Sequence, residues 1–140
     1  MHFISYEWPT LVAEQYAQQI RSVLANDNEC PFDTFRGQRA VMFGLLKEDA
    51  DGVRVTVLLD EDHVLGYALY NSAELSDIYV FPEYRGNNYG GKLLDAVKSW
   101  YCREEIDDVD ITVLGTEQAR RFWQDRAIFG GIGECKLKFD

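Results

Sequence analysis

The chain has 140 residues, 46% of them apolar and 14% aromatic, which is enough for one domain with a core and too short for two comfortable ones. A formal net charge of −10 offers no basic surface for nucleic acid, and no apolar stretch approaches the length of a membrane span. The N-terminus, MHFISYEWP, lacks the basic region and long apolar run of a secretory signal. Three cysteines (Cys30, Cys102, Cys135) are odd in number, widely spaced and without a CxxC pair, which points to thiols in a reducing, cytoplasmic compartment.

Residues 2–6 form a short first strand. Pro9 stands where a helix can start, and Val12, Tyr16, Ile20 and Val23 recur at helical spacing to about Asn26. Residues 26–31 are loop-like. Residues 35–47 are ambiguous: Val41, Met42, Leu45 and Leu46 fit a second helix that Gly37 and Gly44 weaken. After a polar turn at 48–52 comes a β-meander. Val53, Val55, Val57 and Leu59 alternate with polar or smaller residues; 64–70 returns with Gly66 inside it; 74–80 is the third strand. From about Gly90 the period turns helical, with Leu93, Leu94, Val97, Trp100 and Tyr101 on one stripe that the acidic run 104–108 ends. Residues 109–114 are a strand, Thr116 a candidate N-cap, and 117–126 a short helix carrying Ala119, Phe122 and Trp123. Residues 128–129 and 135–139 are closing strands around Gly130, Gly131 and Gly133. With no repeat, low-complexity tract or linker, the expectation is a single α+β domain over 1–140, a mixed sheet flanked by helices.

Residues 77–94, DIYVFPEYRGNNYGGKLL, carry the sharpest functional signal. An apolar strand (Ile78, Tyr79, Val80) meets a proline corner at Pro82. A basic residue and small residues follow (Arg85, Gly86, Asn87, Asn88, Tyr89, Gly90, Gly91), and then an amphipathic helix begins. Such a layout aims backbone N–H groups and a helix N-terminus at one point, which suits a pyrophosphate. Neither a Rossmann pattern nor a Walker lysine is present.

These residues resemble the GNAT superfamily of acyl-CoA N-acyltransferases. The family's signature is Gln or Arg, two residues, Gly, one residue, then Gly or Ala; here it reads Arg85-Gly86-Asn87-Asn88-Tyr89-Gly90, between VFPEY and GGKLL. Asn88 replaces the first glycine, and Asn tolerates left-handed backbone better than other side-chain-bearing residues. A second block, 111–128, is similar to the family's late strand and helix: Ala119 and Phe122 match, while Thr116, Trp123, Ala127 and Ile128 replace Asn, Tyr, Gly and Phe. The resemblance implies a GNAT-type fold, acetyl-CoA as co-substrate and no metal. It also implies that the backbone of residues 85–91 grips the pyrophosphate, and that Ile78, Tyr79 and Val80 bind the pantetheine arm as an added strand. Family members are often dimers, so a homodimer is among its implications.

Transfer of an acyl group to an amine needs a held thioester, a neutral nitrogen and a proton for the leaving thiolate. By the resemblance, Glu74, six residues before Val80, matches the base of the histone-acetylating branch. Asp77 matches an acid of the polyamine-acetylating branch, whose own glutamate position is Ser76 here. The bland alternatives are an exposed strand-end carboxylate for Glu74 and a structural acid for Asp77. Trp123 stands at the family's proton-donating tyrosine and cannot donate near neutral pH, so it reads as a core or cleft-wall aromatic. Tyr79, Tyr89 or Tyr101 can replace it only if the fold brings one to the sulfur. His2 and His63 read as surface residues and Cys102 as a packing residue. Acidic runs at 48–51, 60–62 and 104–110 are either solvated loops or a field that attracts a cationic acceptor, a polyamine, aminoglycoside or lysine-rich peptide. The expected activity is N-acetylation of a primary amine by direct transfer. The rivals are an acyl-CoA-binding sensor or scaffold without turnover, and a CoA-independent interaction module.

Overall fold

The meander zips together in the order its alternation requires. In the computed structural model, which describes residues 1–27, 52–111, 117–131 and 134–139, β2 (Arg54–Asp60), β3 (His63–Tyr70) and β4 (Glu74–Val80) pair antiparallel in sequence order. At one side β1 (His2–Glu7) adds antiparallel to β2, with His2 opposite Leu59 and Glu7 opposite Arg54. At the other, β5 (Asp110–Ile111) lies parallel to β4, followed by β7 (Cys135–Leu137) and β6 (Ala127–Phe129). Among the described residues these strands form one mixed seven-stranded sheet of order β1-β2-β3-β4-β5-β7-β6.

β3 is buried on both faces, and its alternate residues enter two cores. Tyr67 and Leu69 join Val55, Val57 and Tyr79 under α1 (Glu14–Ala25), which buries Tyr16, Ala17, Ile20 and Leu24. Ala68 and Tyr70 join Leu75 under α2 (Tyr89–Arg103), whose Leu94, Val97 and Tyr101 face inward, and under Trp123 of α3 (Glu117–Trp123). The stripes of α1 and α2 thus lie against opposite faces of the sheet, which is why both are legible at a period near 3.6.

Two expectations need correction. The first helix begins at Glu14 rather than at Pro9: Thr10 N–H closes a turn on the Glu7 carbonyl, Val12 inserts into the core, and Ala13 supplies the first helical carbonyl, to Ala17 N–H at 3.0 Å. Cys102 is exposed on α2 rather than packed. The ambiguous helix at 35–47, the end of the strand at 112–114 and the Thr116 cap lie outside the described residues.

Two devices fix the start of β4. The Asn71 side chain accepts N–H bonds from Ala73 (2.9 Å) and Glu74 (2.8 Å), closing the β3–β4 turn. The Tyr101 hydroxyl, on α2, donates to the Asn71 carbonyl at 2.8 Å and lies 3.3 Å from that of Glu74. Burial first, then the neighbouring Tyr70 and Glu74, push the Tyr101 phenol well above its ordinary value. Because the folded value exceeds the unfolded one of about 10, this stabilisation is complete below that pH and is lost as pH rises further. Tyr101→Phe is expected to cost about 1 kcal/mol at neutral pH and to flatten the alkaline limb of the stability profile, read by urea unfolding from pH about 7 to 11.

Candidate functional site

The site begins at the edge of β4 that faces β5. Phe81 N–H donates to the Leu65 carbonyl at 2.9 Å, and a Cβ built on Gly66 would lie 2.5 Å from the Tyr79 carbonyl, so both Tyr79 and Phe81 turn their backbone groups toward β3. By the pleat, the N–H and C=O of Ile78 and Val80 turn to the opposite edge. There, among the described residues, β5 pairs only with Glu74 and Leu75. The three strand residues expected to meet a pantetheine therefore divide, with Ile78 and Val80 presenting backbone to that edge while Tyr79 is bonded inward.

The loop after β4 is built from short local bonds. Pro82–Tyr84 is a single 3₁₀ turn, with Tyr84 N–H on the Phe81 carbonyl (2.9 Å) and Arg85 N–H on that of Pro82 (3.3 Å). Gly86 has φ +90, and Asn88 has φ 61 and ψ 26, the left-handed geometry its residue type allows. Asn87 Nδ2 donates back to the Tyr84 carbonyl at 3.0 Å. Lys92 N–H reaches the Asn88 carbonyl at 3.1 Å as α2 opens. The N–H groups of Tyr89, Gly90 and Gly91 precede that bond and have no carbonyl one turn behind them. A Cβ at Gly91 would run into the Asn88 side-chain amide, so that amide lies against the first turn of α2. A Cβ at Gly90 would lie 2.9 Å from the Phe122 ring of α3. The loop thus lies between β4 and α3, with Gly90 and Gly91 facing close neighbours and Gly86 open.

Arg85 turns its side chain inward. Its Nε donates to the Val80 carbonyl at 2.9 Å, its guanidinium lies 3.7 Å from Asp27 Oδ2 and 5.3 Å above the Tyr79 ring, and Nη1 is 3.5 Å from Gln118 Oε1 on α3. The Tyr79 hydroxyl donates to the same Asp27 oxygen. Asp27 follows the end of α1, and its side chain is only 7% exposed. Nothing in the sequence singled it out, because a lone aspartate after a helix carries no pattern; only the fold sets it beside Tyr79 and Arg85.

The two carboxylates proposed for chemistry lie at different heights on β4. Glu74 is half-buried at the strand's start, opposite Asp110, with its backbone held by Asn71 and Tyr101. The Asp77 carboxylate accepts from the Tyr67 hydroxyl at 2.6 Å, on the α1 side. The register shifts between Leu69/Tyr70 and Asp77/Leu75, leaving Ser76 as the extra residue of a bulge. Simple alternation from 74 to 80 therefore fails there, and Leu75 packs in the same α2-side core as Ile78.

Trp123 is 4% exposed and packs edge-on to Phe122 at 4.9 Å, a core aromatic. Tyr101 is committed to the β3–β4 turn and Tyr79 to Asp27. Tyr89 opens α2, half-buried, with the Lys92 ammonium 5.6 Å from its ring centroid. His2 and His63 are exposed. Among the described residues no group of three or more His, Cys, Asp or Glu side chains gathers in a way that could hold a metal. Nor is any helix among them long and apolar enough to cross a membrane.

Comparison with known proteins gives one family match: "Acetyltransferase (GNAT) family" over residues 10–127. No curated protein matches in sequence. Solved structures match in fold at low identity. PaiA N-acetyltransferase from Thermoplasma acidophilum, in complex with coenzyme A, superposes with a TM-score of 0.67 at 10% identity, over 98% of this chain and 97% of that one. Ribosomal-protein-alanine N-acetyltransferase from Brucella melitensis biovar Abortus 2308 gives 0.67 at 12% identity, over 94% of each. A candidate streptothricin acetyltransferase from Bacillus anthracis str. Ames, in complex with acetyl coenzyme A, gives 0.53 at 18% identity, over 59% of this chain and 51% of that one, about half its length.

Proposed function

The chain belongs to the GNAT family of acetyltransferases, and from that premise we propose that it moves an acetyl group from acetyl-CoA to a primary amine by direct transfer, as a single cytoplasmic domain. The observation that carries this reading is the junction of β4, loop and α2. Backbone groups of Ile78 and Val80 face the edge beside β5, and the N–H groups of Gly86 to Gly91 lie within one left-handed loop and helix start. An amide-rich arm fits the first and a pyrophosphate the second. Two structural neighbours are complexes with acetyl coenzyme A or coenzyme A, which supports the same ligand here.

In this reading residues 85–91 hold the pyrophosphate and Ile78 and Val80 orient the arm, which brings the thioester to the β4 edge. The attacking nitrogen must lose a proton, and the departing sulfur must gain one. Glu74 is the proposed base and Asp77 the acid that draws a cationic amine, while the product ammonium or water returns the proton to sulfur. A net charge of −10 favours a cationic small molecule or a basic peptide segment as acceptor. The second reading, an acyl-CoA-binding sensor or scaffold, draws on buried Trp123, where the family's proton-donating phenol would stand.

Calorimetric titration with acetyl-CoA, with dephospho-CoA and ATP as controls, tests the ligand. Thiol release with polyamines, aminoglycosides and lysine peptides tests transfer. Micromolar binding of acetyl-CoA without ATP binding is expected; its absence overturns the assignment, and binding without any thiol release leaves the sensor reading standing. Glu74→Gln is expected to lower turnover chiefly on the acidic limb of the pH–rate profile, roughly 10²-fold at its largest, where deprotonation limits. An unaltered profile removes Glu74 from the mechanism.

A further inference from the structure

The Val80 carbonyl faces the edge that a pantetheine arm would join, yet it already accepts a hydrogen bond from Arg85 Nε at 2.9 Å. Three other contacts hold the guanidinium there: Asp27 Oδ2 at 3.7 Å, the Tyr79 ring at 5.3 Å and Gln118 Oε1 at 3.5 Å. The Tyr79 hydroxyl donates to the Asp27 oxygen that Arg85 approaches. One carboxylate, at the end of α1, thereby ties β4 and the loop together from below, while Gln118 reaches the same guanidinium from α3.

We propose that Asp27 is a positioning residue of the cofactor site, acting through Arg85: it latches the guanidinium onto the Val80 carbonyl, and an amide of the acyl carrier must displace that bond to pair with β4. The inference rests on the acetyl-CoA reading above. A carbonyl oxygen has two lone pairs, but a charge-assisted donor already held on its strand-edge side competes directly with a second donor that approaches along that edge. The arm therefore binds the fraction of molecules in which Arg85 has swung away, and apparent affinity falls by that fraction. Once displaced, the guanidinium can turn toward phosphate oxygens, which suits its planar fork.

The test is Asp27→Asn, which keeps the shape of the side chain and a weaker acceptor for Tyr79 and Arg85 but removes the charge. Affinity is measured for acetyl-CoA and for acetyl-pantetheine, which has no phosphate and no charge. The latch predicts that both bind about fivefold more tightly to the variant, because both need the Val80 carbonyl. Asp27→Glu should return both toward the parent values. If only acetyl-CoA tightens, the effect is removal of a negative charge near a polyanion, and the latch is overturned. Unchanged or weaker binding of acetyl-pantetheine overturns it equally. Should Asp27→Asn fail to fold, Arg85→Lys keeps the loop's charge but loses the Nε donor, and must tighten acetyl-pantetheine by a similar factor. Binding of neither ligand to the parent protein overturns the cofactor reading and the latch together; binding to the parent with no tightening overturns the latch alone.

Discussion

Gly90→Val is expected to leave the protein folded and to abolish acetyl-CoA binding. A Cβ at this position would sit 2.9 Å from Phe122 Cε1, so the branched side chain must push the ring outward. Phe122 is only half-buried and has room to turn, while valine is a somewhat better helix former than glycine, so the net stability change should be within about 1 kcal/mol. The proposed ligand fares differently. Its phosphates must approach the N–H groups of Tyr89, Gly90 and Gly91 at hydrogen-bond distance, and the branched side chain with the Phe122 ring it displaces crowds that approach. A weakening of roughly a hundredfold or more is expected, about 2.8 kcal/mol of binding free energy. Calorimetry on a variant of unchanged thermal midpoint checks it. Affinity within a factor of about two of the parent would mean that the loop is a turn and no phosphate site.

Gly66→Val is expected to have the largest effect on stability of any single substitution named here. At Gly66 three elements converge: a Cβ would meet the Tyr79 carbonyl at 2.5 Å, Leu93 Cδ1 at 3.1 Å and Val80 Cα at 3.1 Å. Two of these are backbone atoms of β4, so the strand itself must move rather than a side-chain tip. Overpacking against backbone in a buried strand should cost about 3 kcal/mol, measured as a shift of the urea midpoint at unchanged slope. The displaced residues are Tyr79 and Val80, so cofactor affinity should fall with stability. A loss under about 0.5 kcal/mol would show that β3 and β4 separate here at little cost, contrary to the close register of Gly66 opposite Val80.

The contrast between these two glycines shows what the chain's own letters carry. Gly90 stands inside a readable motif, whose spacing raises the expectation of a phosphate loop. Gly66 reads only as a glycine inside a strand. Its importance lies in β4 and α2 meeting over it, a long-range contact that no local pattern encodes.

Sequence by itself determined the meander, the two helical stripes, the strand–loop–helix junction at residues 77–94 and the left-handed tolerance of Asn88. Each of these is a local property, set by side-chain periodicity or backbone sterics within a few residues. Tertiary structure alone decided the rest. The bulge at Ser76 interrupts the period-2 alternation of β4 between Glu74 and Val80, because register is settled between strands and not within one. Trp123 goes into the core because α3 packs where it does. Asp27 meets Tyr79, 52 residues away in sequence, because α1 lies across the sheet face that carries Tyr79. Electrostatic contacts of that kind depend on distance in space, and distance in space is what a linear chain leaves unspecified until it folds.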